Sequence, residues 1–346
     1  MLVAIVLLGG FVLAVPYVPS VIKAGSDIFS QLASSVSKTN QTISTQVTDH
    51  SYSPLIQNGS ANIQFPPEFT TLESYALKLI NSDRGNNSAG EVSLSGNQAG
   101  QQHADSMLRY GYFSHYDTQG FKPYMRYSLL GGTGADAENV AFIFDPSAHY
   151  TTSSAESAIM ALEFAMMNND SACCNNGHRL NILNPLHNRV SIGVAYDTNH
   201  IYFDEEFEND YANLTYSISS SNVVTLGGVP INSQVTDRVN SIYIAYDSTP
   251  ATETVDQLNN GPHEYGPGTL VGGVLPPCNP IVNDCASFAT GTTVYATTWT
   301  LNATRLDIAF PLQDFVKVHG SGVYTVYLIT GQDTNSAITS ICFFLA

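Results

Sequence analysis

The sequence predicts an α+β protein with a hydrophobic N-terminal helix, a domain of helices and strands, and a C-terminal β-sandwich. Three observations support this fold class: an uncharged apolar run at the start, helical periodicity followed by a strand pair in the middle, and short strand-like runs between Gly, Pro and Asn clusters towards the end. With 346 residues the chain can bury two cores. We divide it into a helix over 1–37, a Ser/Thr/Asn-rich linker over 38–64, and domains over 65–210 and 211–346.

The N-terminal segment is long and apolar enough to cross a membrane. Residues 1–22 carry no charge, and a helix of that length spans roughly 33 Å. No cation precedes the run, as it would in a secretory signal, and the first one is Lys23. Three interpretations stay open: a signal peptide, a lipid-bilayer anchor, or a retained helix through which copies of the chain pack in a filament. The segment resembles archaeal type IV pilins, which implies the third, although Pro16 and Pro19 would kink the helix.

The charge balance and the sequons indicate an extracellular protein at the cell surface. Only 12 Lys or Arg stand against 29 Asp or Glu, a net charge of −17, so no cationic surface is available for nucleic acid. Six N-x-S/T sequons would carry covalent glycans on an exported chain. They lie at Asn40, Asn58, Asn86, Asn169, Asn213 and Asn302.

The middle domain begins with helices and ends with a strand pair. A capping box at Thr70 and Glu73 predicts the start of the first helix, and apolar spacing predicts two more over 96–110 and 154–168. Two strands are expected around a turn at Asp197–Asn199, over 189–196 and 200–207. Helices followed by a hairpin imply an α+β layer fold.

Several motifs in this domain occur in an order that carries a family resemblance. They are Leu79-Ile80-Asn81-Ser82-Asp83-Arg84, His103-Ala104 through Met107, Gly111-Tyr112-Phe113-Ser114-His115, Ala137-Glu138-Asn139-Val140-Ala141, Gly177-His178-Arg179 through Pro185, and Ile192-Gly193-Val194-Ala195. Together they resemble the CAP superfamily, or SCP-like domain, in its prokaryotic form. The resemblance implies an α-β-α sandwich with a polar cleft.

The candidate site consists of histidines and carboxylates at the ends of elements and in loops. His115, Glu138 and His178 suit a divalent cation such as zinc, because imidazole and carboxylate are its usual ligands. The resemblance implies a tetrad of two histidines and two acidic residues, onto which these three positions map. Glu163 or Asp170 would supply the fourth, and the choice stays open.

A structural role for the same residues is equally compatible with the sequence. His115 and His178 would then hydrogen-bond Glu138 and backbone carbonyls and hold long loops in place. A hydrolase would use a metal-bound water with Glu138 or Glu163 as general base. No Ser-His-Asp order, nucleophile elbow or H-E-x-x-H motif occurs, which favours a non-enzymatic role. His103 is expected to be a hydrogen-bonded core histidine.

The C-terminal domain is predicted to be an Ig-like β-sandwich without helical periodicity or a catalytic constellation. Its last run, Ile341 to Ala346, is apolar and must be buried. Cys278 and Cys285 flank a short loop and are predicted to form a disulfide. For Cys173 and Cys174 the alternatives are pairing of one of them with Cys342 or a bridge between the two.

Two functions from different classes follow from these features. The first is a structural or adhesive subunit of a type IV pilin-like filament that displays a CAP-like domain. The second is a monomeric, membrane-anchored CAP protein whose cleft binds a ligand or a divalent metal, or acts as a metal-dependent hydrolase.

Overall fold

The computed structural model describes residues 4–7, 11–14, 71–278, 285–331 and 333–346. At the N-terminus, β1 (Ala4–Leu7) and β2 (Phe11–Ala14) pair antiparallel as strands, which corrects the predicted helix at these positions. The physical reason is that β-branched and aromatic residues flank Gly9-Gly10, a pattern that favours a hairpin. The rest of the 1–37 segment and the 38–64 linker lie outside the described residues. Within the described ranges, no helix is both long and apolar enough to cross a bilayer.

A mixed six-stranded sheet forms the centre of the first domain. Its further strands are β3 (Ser93–Leu94), β4 (Ala135–Phe144), β5 (Arg189–Tyr196) and β6 (His200–Asn209). The order in space is β2-β1-β4-β6-β5-β3, and every neighbouring pair is antiparallel except β3 with β5. The sequence predicts β5 and β6 but not β4, because polar residues interrupt the apolar pattern of β4.

Helices cover both faces of this sheet and give the α-β-α layering expected from the sequence. One face packs against α1 (Thr71–Asn86), α4 (Thr152–Asn168), α5 (Ser171–Cys174) and α6 (Gly177–Ile182). The other face packs against α2 (Ala99–Tyr110) and α3 (Pro123–Leu129). Helix α2 ends at Gly111 in the left-handed conformation, with φ 71°. It approaches β5 so closely that a Cβ at Gly193 would lie 2.1 Å from the carbonyl oxygen of Gly100.

The second domain is a sandwich of two sheets around a shared apolar core. Strands β7 (Ala212–Ile218), β8 (Val223–Pro230), β12 (Thr298–Asn302) and β13 (Arg305–Pro311) form a sheet of order β12-β13-β8-β7. The other sheet has the order β11-β10-β9-β14-β15. Its strands are β9 (Ser241–Asp247), β10 (Thr269–Leu275), β11 (Thr292–Tyr295), β14 (Gly322–Ile329) and β15 (Ile341–Leu345).

Two details depart from the expected Ig-like, all-strand architecture. Strands β10 and β11 run parallel, whereas Ig-like sheets are antiparallel. Short helices also occur: α7 (Ser233–Thr236), α8 (Val255–Asn260) and α9 (Gln313–His319). They have four to seven residues, too few to leave a periodic signal in the sequence.

The two domains share an extensive interface. Tyr124 of α3 and Lys122, the residue just before this helix, both bind Asp247. The distance is 2.8 Å from Lys122 Nζ to Oδ1 and 2.7 Å from the Tyr124 hydroxyl to Oδ2. Leu258 of α8 is buried in the apolar cluster beneath α2. The backbone N–H of Cys342 in β15 donates to the Ser128 hydroxyl at 3.0 Å. The apolar C-terminal strand is therefore buried both in its own sheet and against the first domain.

The cysteines separate into bonded and free sulfurs. Cys278 and Cys285, predicted to pair, are joined in a disulfide. Cys342 is a buried free thiol, and burial raises its pKa to about 12. The alternative in which Cys342 pairs with Cys173 or Cys174 is therefore wrong, and Cys174 is itself disulfide-bonded. The physical reason is that Cys342 lies at the domain interface, where Thr325 and Tyr124 surround its sulfur.

Candidate functional site

Strand β6 carries an unusual set of buried acids. Asp204, Glu205, Glu206 and Glu208 are each no more than 2% exposed. Because side chains alternate along a strand, Asp204, Glu206 and Glu208 point to the α2/α3 face and Glu205 points to the α1/α4 face. Strand β4 adds more carboxylates on the α2/α3 face, since Glu138 is opposite Glu206 and Asp136 is opposite Glu208. The sheet thus holds two acidic clusters, one on each face.

Glu138 is the centre of the cluster on the α2/α3 face. Its Oε2 lies 2.5 Å from His115 Nδ1, and its Oε1 lies 2.8 Å from His103 Nδ1 and in contact with the Arg126 guanidinium. Burial by itself would raise the pKa of Glu138, but Arg126 and His103 outweigh it and hold the pKa well below its usual range. The same guanidinium donates to the backbone oxygen of His115 at 2.7 Å. Glu138 is therefore an ionised carboxylate with every oxygen occupied.

The second domain covers this cluster with one aromatic side chain. The hydroxyl of Tyr265 accepts a hydrogen bond from the backbone N–H of Glu138 at 2.7 Å. Its ring centroid lies 4.8 Å from that of His115. His115 is 6% exposed, so the imidazole has little access to solvent. Burial, and then the carboxylates of Asp136 and Glu138, raise the pKa of Tyr265 well above its usual value, which keeps the phenol neutral.

His178 lies in the other cluster, on the α1/α4 face. Its Nδ1 is 2.6 Å from Asp170 Oδ1, and its backbone oxygen accepts from Asn139 Nδ2 at 3.3 Å. Asn139 also donates to Glu205 at 3.1 Å. Between the two candidates for the fourth acid, the structure places Asp170 beside the imidazole.

Glu163 is buried in α4 near Glu205 and Asp83. Burial first, and then these two carboxylates, raise the pKa of Glu163 well above its usual range. Burial likewise raises the pKa of Glu205. Glu163 therefore holds its proton more tightly than an exposed glutamic acid does, which makes it a poorer metal ligand.

The four residues predicted to share a metal ion lie in two places. Glu138 and Asn139 are consecutive in β4, so the side chain that contacts His115 and the one that contacts His178 point to opposite faces. Among the described residues, two groups have His, Cys, Asp or Glu ligand atoms all within 4.8 Å of one another: Asp170, Cys174 and His178, and His103, Glu138 and Asp204.

Neither group suits the zinc site that the resemblance implies. Cys174 is disulfide-bonded, so it offers no thiolate. Arg126 contacts Glu138 in the other group and places a fixed positive charge beside the position of an ion. The residues that the structure brings together therefore do not fit a four-ligand metal centre.

The acids on the α2/α3 face outnumber the cations there, since Glu206 shares Arg126 with Glu138 at 3.5 Å and Asp204 lies 2.8 Å from His103 Nδ1. Burial raises the pKa of Asp136 to about 7 and that of Glu208 to about 8. Burial and the neighbouring carboxylates also raise the pKa of Asp204 and Glu206 well above their usual ranges. These side chains consequently hold protons at a pH where exposed carboxyls are ionised.

Sequence reasoning missed Arg126 and the acids of β6. Arg126 lies in α3, a helix that no sequence pattern predicts, and its partner Glu206 is distant in the chain. The acids had a usable signal, since Asp204-Glu205-Glu206-Phe207-Glu208 is an acidic run inside a predicted strand. His103 is buried as expected, with its Nδ1 2.8 Å from Asp204.

No protein-family model matches the sequence, and no curated protein does. A solved structure with some similarity is the 1.5 Å crystal structure of an extracellular protein containing an SCP domain, from Bacillus anthracis strain Ames. The TM-score is 0.31 and the identity 20%, over 40% of each chain. The chain thus spans less than half the length of that protein.

Proposed function

We propose that this chain is an extracellular CAP-like protein in which the first domain and the β-sandwich act as one rigid structural or adhesive unit, without hydrolytic activity. The observation that carries the proposal is the state of Glu138. Its oxygens are taken by His115, His103 and Arg126, and Tyr265 of the second domain binds its backbone. A general base or a metal ligand needs an accessible oxygen, and both oxygens of Glu138 are buried and already have partners.

The motifs that resemble the CAP superfamily acquire a structural meaning in this proposal. His115 and Glu138 connect the loop after α2 to β4, while His178 and Asp170 connect α6 to the end of α4. Buried ion pairs of this kind are costly to break from one side, so they hold irregular segments in a single arrangement. The domain then offers a fixed surface for attachment to partners.

Two features support an extracellular location. The four sequons within the described residues all have exposed asparagines, as glycan attachment requires, and they are Asn86, Asn169, Asn213 and Asn302. Asn40 and Asn58 lie outside the described residues. The disulfide between Cys278 and Cys285 is of a kind that persists in oxidising surroundings.

Self-assembly through residues 1–37, or attachment of that segment to a lipid bilayer, stays a prediction from the sequence. Negative-stain microscopy of the full chain beside a chain that lacks residues 1–70 would test it. Fibres from the full chain alone would support the filament, and monomers from both preparations would contradict it.

The structural role is tested by metal analysis together with melting. We expect no stoichiometric zinc after incubation and dialysis, and a clear loss of thermal stability in both His115→Ala and His178→Ala. His149→Ala, a change in a histidine outside both clusters, is the matched control. One zinc per chain, lost in both cluster variants without a change in melting temperature, would instead establish the metal-binding alternative.

A further inference from the structure

An open cleft of about 780 Å³ lies between the two domains, outside the two acidic clusters. Tyr116, Gly120 and Lys122 line it from the first domain, and Asp247, Glu253 and Asp256 are among its residues from the second. This volume lies within the range of small-molecule sites, which occur preferentially at domain boundaries. We call it the interdomain cleft.

The walls of the interdomain cleft are held together across the domain boundary. The backbone N–H of Glu253 donates to the carbonyl oxygen of Thr118 at 3.0 Å. Gly120, with φ +78°, approaches Ala251 so closely that a Cβ would lie 2.4 Å from the Ala251 carbonyl oxygen. Helix α8, which carries Asp256, is anchored to the first domain by the buried Leu258. The cleft is therefore preformed, so a ligand would not have to order it.

The charge of the cleft is negative because its lysine is already neutralised. Lys122 Nζ binds Asp247 Oδ1 at 2.8 Å and the carbonyl oxygen of Gly266 at 3.2 Å. Within the described part of the chain, neither Glu253 nor Asp256 makes an ion pair. Two acidic residues without a cation therefore line the cleft. Burial, and then the charges of Asp247 and Glu253, raise the pKa of the Tyr116 phenol, consistent with a negative potential at this wall.

We propose that the interdomain cleft binds an organic cation, a ligand that presents an ammonium or guanidinium group. Glu253 and Asp256 would pair with the charge, and the ring of Tyr116 offers a face for a cation–π contact. The net charge of −17 on the whole chain would attract such a ligand from solution. The proposal does not depend on the structural role of Glu138, so either can fail without the other.

Isothermal titration calorimetry of the full chain with spermidine tests this proposal. We expect saturable binding to one site that weakens when NaCl is raised, because the contacts are ionic and partly exposed. The double variant Glu253→Gln/Asp256→Asn should weaken binding at least about tenfold, which corresponds to about 1.4 kcal/mol. Both substitutions keep the size of the side chain, and circular dichroism would verify that the variant remains folded.

A matched control separates this site from the general negative charge of the chain. Glu91→Gln/Glu156→Gln removes the same charge from residues that do not line the cleft, and it should leave spermidine binding unchanged. An equal loss in both double variants, or no saturable binding to the wild type, would overturn the proposal. The cation assignment would also be overturned if the wild type bound the neutral disaccharide N,N′-diacetylchitobiose but not spermidine, and if only the cleft variant lost the disaccharide binding.

Discussion

Buried acids with a raised pKa make the folded chain lose stability as the pH rises, and Glu208 allows a quantitative test. This side chain is 2% exposed, one of its oxygens accepts from the Tyr127 hydroxyl at 3.0 Å, and Asp136 is opposite it in β4. Burial first, and then Asp136, raise its pKa from 4.5 to about 8. Between these two pH values the folded chain keeps a proton that the unfolded chain has released. The free energy of unfolding must therefore fall as the pH rises through this window.

The magnitude follows from the size of the pKa change. Each pKa unit corresponds to about 1.4 kcal/mol, so a rise from 4.5 to about 8 corresponds to about 5 kcal/mol. This is an upper limit, because the folded chain relaxes around an ionised carboxylate. Total stabilities of domains are about 5–15 kcal/mol, so the loss is large enough to measure. The variant Glu208→Gln keeps the acceptor for Tyr127 but cannot ionise.

Urea unfolding followed by circular dichroism at pH 4.5 and pH 8 would measure the effect. We expect the wild type to lose up to about 5 kcal/mol more than Glu208→Gln between these pH values. Glu91→Gln, a change at an exposed acid, should keep the wild-type slope. If wild type and Glu208→Gln lose the same free energy across the window, the assignment of a raised pKa to Glu208 is refuted.

Three other substitutions test the buried network and the interface, each by urea unfolding at constant pH. Arg126→Met leaves Glu138 buried without its cation and should lower the free energy of unfolding by about 3–5 kcal/mol. Arg189→Met, at a partly exposed ion pair, should lower it by about 1 kcal/mol or less. Equal losses in the two variants would contradict the role of Arg126 in the buried network. Tyr265→Phe removes the acceptor of a backbone N–H and should cost about 1–2 kcal/mol; a neutral effect would show that the contact is unimportant. Leu258→Ala should cost about 2–5 kcal/mol, because the side chain is buried at the domain interface, and a cost below about 1 kcal/mol would argue against that packing.

Local signals predicted the helices and strands well where the residues themselves carry the information. Gly111 stops α2 because glycine adopts the left-handed conformation without a steric cost, and β5 has the predicted bounds. Strand β4 and helix α3 could not be predicted in this way. The first half of β4 carries Asp136, Glu138 and Asn139, which face polar clusters, and only its second half is apolar, so the strand lacks the regular apolar alternation on which sequence reasoning depends.

The candidate site was only partly predictable for a related reason. The sequence identified His115, Glu138 and His178 as chemically important, and the pair of His115 with Glu138 is formed. It could not identify Arg126 as the cation of Glu138, because pairing between residues of different elements is set by how α3 packs on the sheet. It also could not choose between Glu163 and Asp170, because both carry a carboxyl group and only their places in the fold distinguish them.

The sequence by itself determined the chemistry of this protein: an acidic chain with few cations, six sequons, the pairing of Cys278 with Cys285, and the histidines and carboxylates of the candidate site. Tertiary structure alone decided how that chemistry is distributed. Glu138 and Asn139 are consecutive in β4 and point to opposite faces of the sheet. His115, which contacts Glu138, is therefore on one face, and His178, whose backbone oxygen contacts Asn139, is on the other. The physical reason is that a strand has a side-chain period of two, and residue types cannot reveal which face each position will take until neighbouring strands and helices fix it.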